Sequence, residues 1–164
     1  MGNERSLEGK KILAVDDEPD ILDALEDLLT MCTVEKATTF EQAREMLENR
    51  NYDVAILDIM GVDGYELLDI ANRRGITAVM LTAHALSPDN VVKSFKEGAA
   101  SYVPKDKLSE IEDFLGDVFE AQAKGKHTWW RWLERLSERY CEKKFGPGWK
   151  EKDRDFWNNF GAWE

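Results

Sequence analysis

Val54-Ala55-Ile56-Leu57-Asp58 is the stretch that decides the fold: four apolar residues in a row, ending on a carboxylate. A short unbroken apolar run reads as an inner strand of a sheet covered on both faces. Asp58 then falls at the strand's carboxyl end, where open α/β sheets bind their ligands. Lys11-Ile12-Leu13-Ala14-Val15 has the same form and runs into Asp16-Asp17. Ile76-Thr77-Ala78-Val79-Met80-Leu81 runs into Thr82. Three strands thus deliver acids and a hydroxyl to one edge.

Outward from these strands the chain alternates. Asp17-Glu18-Pro19 reads as a capped helix start, with Ile21, Leu22, Leu25, Leu28 and Leu29 at helical spacing to about Met31. Thr33 to Ala37 is a second strand, and Thr39 caps a helix through Ala43, Met46 and Leu47. Asp63-Gly64 turns into a helix carrying Tyr65, Leu67, Leu68, Ile70 and Ala71, which stops at Arg73-Arg74-Gly75. Ser87-Pro88 opens a fourth helix to Glu97-Gly98. Ala100 to Val103 is a fifth strand, and a fifth helix follows from about Lys107 to Ala123. The fold expected is α/β, a doubly wound five-stranded parallel sheet with a C-terminal helical extension. The boundaries expected are a flexible leader over 1–9, a main domain over 10–123 and a helical extension over 124–164.

Charge is uneven along the 164 residues. Residues 1–123 hold 12 Lys+Arg against 26 Asp+Glu, and residues 124–164 hold 10 against 7, within a net −11. An acidic body argues against nucleic acid as a direct ligand. No apolar run spans a bilayer and the opening is too polar for a signal peptide, so no membrane partner is expected. Gly2 fits a loose N-myristoylation pattern that short polar leaders match by chance. Cys32 and Cys141 are far apart and in no metal spacing, which reads as two reduced thiols in a cytoplasmic protein.

Asp16, Asp17 and Asp58 converge on one cleft in this topology. Three carboxylates raise each other's pKa unless a cation neutralises them. Mg²⁺ suits, because it takes few carboxylates and keeps waters or phosphate oxygens. Lys105, just after the fifth strand, brings an ammonium to the same edge, and Thr82 a hydroxyl. Around a carboxylate nucleophile, that set suits a phosphoryl group and an aspartyl-phosphate. Taken singly, each residue has a plainer reading: Asp16-Asp17 as a helix cap, Asp58 as a turn residue, Thr82 as a cap, Lys105 as a solvated lysine, Tyr102 as a half-buried edge residue. His84 and His127 have no ligand companion in the sequence.

Ile12-Leu13-Ala14-Val15-Asp16-Asp17-Glu18, Leu57-Asp58, Asp63-Gly64-Tyr65-Glu66-Leu67-Leu68, Leu81-Thr82-Ala83, Gly98-Ala99 and Tyr102-Val103-Pro104-Lys105 together resemble the receiver domain of two-component response regulators, a flavodoxin-like fold, over about residues 10–123. The resemblance implies that Asp58 accepts phosphate from a histidine kinase or phosphotransfer protein. It implies that Asp16, Asp17, Asp58 and the Met60 carbonyl hold Mg²⁺, and that Thr82 and Lys105 bind the phosphoryl oxygens. Tyr102 is then a switch residue that follows Thr82 and signals through the fourth helix, fifth strand and fifth helix, a face also suited to homodimers. The chain departs from the family in three places, one of them about one extra residue between Thr82 and Lys105. The loop Ile59-Met60-Gly61-Val62 is shortened and lacks the usual proline. Pro104 precedes Lys105 where the family has a cis proline after it, and Asp106 follows as a competitor for the ammonium. A non-responsive interaction module is the alternative. An enzyme acting on external substrates is not expected: Met60 stands where an aspartate-nucleophile phosphatase has a second acid.

All six tryptophans lie in residues 124–164. Thr128 is expected to cap one helix over about 129–145, with Trp129, Trp132, Leu133, Leu136 and Tyr140 in a stripe. Trp130, Cys141 and Phe145 widen that stripe, and Arg131, Glu134, Arg135, Glu138 and Glu142 face away. Gly146-Pro147-Gly148 ends this helix, and Asp153 caps a last one bearing Phe156, Trp157 and Phe160. So much aromatic surface must be covered, by the body, by a second copy or by a partner.

Overall fold

A computed structural model, which describes residues 6–83 and 87–160, arranges β1 (Lys11–Val15), β2 (Thr33–Ala37), β3 (Val54–Asp58), β4 (Thr77–Thr82) and β5 (Ser101–Pro104) as one parallel sheet. The strand order is β2-β1-β3-β4-β5. Every residue of the central strand β3 is buried, as an apolar run between two helical layers must be. The edge strand β2 buries only Ala37. Val15 pairs with Leu57, and Asp58 with Leu81. That register ends β1, β3 and β4 together and sets Asp16, Asp58 and Thr82 along one rim.

The crossovers are α1 (Pro19–Leu28), α2 (Phe40–Asn49), α3 (Gly64–Arg73) and α4 (Pro88–Lys96), with α5 (Ile111–Lys124) closing the sheet. Helix α1 packs on α5 and α2 on α3, as right-handed connections require. Thr39 and Ser87 cap α2 and α4 with their side chains, as their positions predict. The start of α1 differs. Its cap position, Glu18, makes no side-chain cap bond, and Asp16 Oδ1 instead accepts the Glu18 N–H at 2.9 Å. The segment Lys105–Glu110 is a tight 3₁₀ stretch, with Lys107 outside helical geometry, and the regular helix begins only at Ile111. The described residues contain no cis peptide bond.

The leader expected over 1–9 is not all leader. Leu7 is fully buried in the core, its carbonyl takes the Cys32 thiol at 3.3 Å, and the Gly9 N–H donates to Met31. The Gly2 pattern, His84 and Trp163 lie outside the described residues. Among the described residues no helix is long and apolar enough to cross a membrane.

The extension folds back onto the body, but not as one helix. It forms α6 (Trp132–Leu136), α7 (Glu138–Phe145) and α8 (Arg154–Asn159). The break is Ser137, at φ 72°, ψ 149°, whose hydroxyl caps α7 by accepting the Tyr140 N–H. Thr128 caps nothing: α6 has Arg131 at its cap position, with no side-chain bond, and Asp153 likewise makes none for α8. Trp129 Nε1 donates to the Ala99 carbonyl and Trp132 Nε1 to the Tyr102 carbonyl, both at 2.8 Å. The indoles thus supply donors to one carbonyl just before β5 and one within it, on the strand whose far side has no neighbouring strand among the described residues. Phe95 of α4 meets His127, Trp129 and Phe156 at ring-centroid distances of 4.9, 5.5 and 5.2 Å.

Arg135 and Arg131, expected to face away, reach back to α5. Arg135 makes a bidentate pair with Asp117 at 2.9 and 3.0 Å, and Arg131 meets Glu120 at 3.4 Å. Asp117 is buried, and Arg135 is its bidentate partner. Arg135→Ala is expected to cost about 2 kcal/mol in urea unfolding, since it strands a buried carboxylate. Arg135→Ala combined with Asp117→Asn should recover part of the loss; equal stability of wild type and the single variant would contradict the pairing.

Candidate functional site

Asp58 ends β3 at 4% exposure, Asp16 follows β1 fully buried, and Thr82 ends β4 at 1%. Lys105 follows β5 and spans the rim. Its Nζ lies 2.9 Å from Asp16 Oδ2, 3.0 Å from Glu18 Oε1 and 3.6 Å from Asp58 Oδ1. One ammonium therefore serves three carboxylates. Burial opposes its charge, but the bonds from Asp16 and Glu18 and the field of Asp58 hold its pKa above the ordinary lysine value. Burial, then the neighbouring Asp16, push Asp58 up to about 7 against the pull of Lys105. Burial also raises Asp16.

A divalent cation fits this donor set. Asp16 Oδ2 is buried and, apart from its ion contact with Lys105, has no hydrogen-bond partner. Carboxylate oxygens of Asp16, Asp17 and Glu18 lie within 4.8 Å of one another. Such hard oxygen donors, crowded and partly desolvated, are what Mg²⁺ takes. Glu18 was not among the site residues expected from sequence. Its signal was only its place at the end of an acidic run.

The shortened loop after β3 is shaped by two glycines. Gly61 sits at φ +86°, and a Cβ there would lie 2.5 Å from Asp17 Oδ2. The loop therefore wraps directly against the Asp17 carboxylate. A Cβ on Gly64 would lie 2.3 Å from the Asp58 carbonyl, so the chain returns to β3 with no room for a side chain. Met60 is exposed, at 54%.

Tyr102 is completely buried in β5, and burial raises its pKa against a backbone hydrogen bond from Ser87. The plainer reading of a half-buried edge tyrosine does not hold, because the tail covers that edge. Its carbonyl holds Trp132 and its ring meets the Trp132 ring edge-on at 6.5 Å. Asp106 does not compete for Lys105 in this structure. Its carboxylate accepts the Tyr140 hydroxyl at 2.6 Å and pairs with Lys144 at 2.9 Å. His127 stacks on Phe95, and its Nδ1 accepts the Trp129 N–H. Cys32 and Cys141 are free thiols.

A family model described as the response regulator receiver domain matches residues 12–115. The two-component response regulator ARR18 of Arabidopsis thaliana is 37% identical over 123 residues, covering 71% of this chain and 19% of that protein. ARR12 of the same plant is 36% identical over 122 residues, covering 70% and 20%. The chain spans about a fifth of the length of these curated relatives. A CheY-like receiver domain protein from Methanospirillum hungatei is 31% identical and superposes with a TM-score of 0.63 over 71% of this chain and 98% of that one. The receiver domain of DrrB in a BeF₃-activated form is 28% identical, with a TM-score of 0.55 over 65% and 97%. The matched region ends inside α5, so the tail lies outside it, while the tail's anchors Ala99, Tyr102 and Asp106 lie within it.

Two outcomes follow from the geometry. In metal-free protein the folded state keeps the Asp58 proton to about pH 7, whereas the unfolded chain releases it near 3.8. The folded state binds the extra proton in that window, so this group lowers stability as pH rises through it. Calorimetry should show Asp58→Asn raising the melting temperature at about pH 8 and changing it little at about pH 4. A gain independent of pH would contradict the burial of an unneutralised carboxylate. Gly61→Ala should displace Asp17 and destabilise the fold by about 1 kcal/mol. Titration calorimetry should then show weaker Mg²⁺ binding than in wild type, and unchanged affinity would place Asp17 outside the metal shell.

Proposed function

The chain belongs to the response regulator receiver family, and from that premise we propose that it accepts a phosphoryl group on Asp58 from a histidine kinase or phosphotransfer protein. The observation that carries the reading is the Asp58 carboxylate at the strand end, nearly buried, with the Lys105 ammonium 3.6 Å away and shared with Asp16. An Asp58 oxygen attacks phosphorus and forms the new O–P bond. The P–N bond of the phosphohistidine breaks, its electron pair goes to the imidazole, and that ring takes up a proton. Lys105 turns from the acids to the transferred oxygens, and the Thr82 hydroxyl donates to another. Asp16, Asp17, Asp58 and the Met60 carbonyl would hold Mg²⁺, which would supply positive charge against the oxygens gathered there. Asp58 is the reacting atom's donor, and Thr82 and Lys105 position and neutralise.

The acyl phosphate then alters protein contacts. Thr82, drawn to the phosphoryl group, shifts the end of β4 beside Tyr102, making Thr82 and Tyr102 the switch pair. Turnover stops at self-phosphotransfer and slow hydrolysis, so the protein acts as a switch, in the cytoplasm, where two free thiols persist. A homodimer through α4, β5 and α5 is a poorer expectation, because the chain's own tail lies on that face. The same covering favours a second reading, a receiver whose contacts no longer respond to phosphate.

Incubation with a small phosphodonor and Mg²⁺ should add one phosphoryl group, detected by intact mass, and Asp58→Asn should abolish it. Lys105→Ala should slow labelling by about a hundredfold. Beryllofluoride, which is present in the activated form of the DrrB receiver domain, should bind here too, and only when Mg²⁺ is added. Labelling that survives in Asp58→Asn would sink the reading. Normal labelling with unchanged light-scattering mass and tryptophan fluorescence would select the non-responsive module.

A further inference from the structure

Lys105 is followed at once by a second acid. Its ammonium already serves Asp16, Glu18 and Asp58. Asp106 is exposed, with a side chain 45% accessible, and sits in a 3₁₀ stretch where Lys107 breaks the helical geometry. No regular helix fixes the direction of this carboxylate. It is the acid next to Lys105 in the chain, and pairing with it would draw the ammonium off the rim.

The tail removes that alternative. Tyr140 and Lys144, one helical turn apart on α7, both take Asp106, the hydroxyl at 2.6 Å and the ammonium at 2.9 Å. The clasp is well supported. Lys107 Nζ lies 4.9 Å from the Tyr140 ring centroid. The Ser137 cap fixes the start of α7, and Trp132 ties the preceding helix to the Tyr102 carbonyl, three residues before Lys105. Tail contacts thus bracket the lysine on both sides. The break at Ser137 aims Tyr140 at Asp106, and a single straight helix would lack that break.

We infer that Tyr140 and Lys144 are positioning residues of the Asp58 site: they hold the Asp106 carboxylate away from Lys105 and so keep its ammonium with Asp16 and Asp58. This rests on Asp58 being the phosphoacceptor. The tail is then part of the site's machinery, and its docking and phosphoryl chemistry are linked in both directions. Neither residue touches the phosphoryl group; they act through Asp106.

The test compares initial rates of labelling by acetyl phosphate with saturating Mg²⁺ in four full-length proteins. Tyr140→Phe with Lys144→Gln should slow labelling by about fivefold relative to wild type. Asp106→Asn alone should stay close to the wild-type rate, because an amide is no rival for an ammonium. Adding Asp106→Asn to the double variant should restore the rate. Rescue separates positioning from general loosening, since removing one more charged partner cannot re-dock a tail. Circular dichroism melting of each variant checks the fold. A double variant that labels at the wild-type rate, or one that Asp106→Asn fails to rescue, overturns the inference and leaves the phosphoacceptor reading intact. A wild-type protein that takes no label overturns both.

Discussion

Crowded carboxylates at the rim of a parallel sheet, held by one half-buried ammonium, are the constraint on which the molecule depends. Asp16 and Asp58 are nearly water-free, and isolated charges at such burial are costly. Lys105 offsets part of that cost, but one positive charge cannot neutralise Asp16, Asp58 and Glu18 together. The residual negative charge makes the rim a place for a cation and keeps Asp58 reluctant to ionise without one. The sheet's register creates the problem by ending three strands level, and the same register gives the site its chemistry.

The surroundings of the rim follow from that crowding. Asp17 is accommodated because Gly61 lacks a side chain, and the loop closes onto β3 because Gly64 lacks one too. Asp16 turns the chain into α1 by accepting the Glu18 N–H, so one carboxylate serves both a helix entry and the charge cluster. Local structure and site are built from the same atoms. Changes in this loop therefore act on the acids of the rim as well as on stability.

At the other end of β5 the governing force is the cover of aromatic surface. Phe95 of α4 and the tail's indoles and phenyl rings pack edge-to-face and tilted. Two indole N–H groups add hydrogen bonds to the carbonyls of Ala99, just before β5, and Tyr102 within it, and Arg135 adds an ion pair to α5. Hydrophobic cover supplies the affinity of the tail for the body, and the polar contacts fix its register. The outcome is a face that already has an occupant, so a partner for it must compete with a segment tethered a few residues away.

The sequence by itself determined the sheet and the rim. Unbroken apolar runs ending in Asp16, Asp58 and Thr82 allow little other than inner parallel strands, because burial on both faces and a period of two leave few alternatives. Helix starts marked by Thr39 and Ser87 were legible for the same local reason. Leu7 was not, since one leucine among polar residues has no period to betray it. The tail's heptad-like stripe pointed to one long helix, yet the break at Ser137 depends on where Trp132 and Tyr140 find partners about thirty residues away in the chain. The partners of Lys105, Asp106 and Arg135 were likewise decided only by the tertiary structure. Long charged side chains choose among several near neighbours, and which one is nearest depends on how separate elements pack.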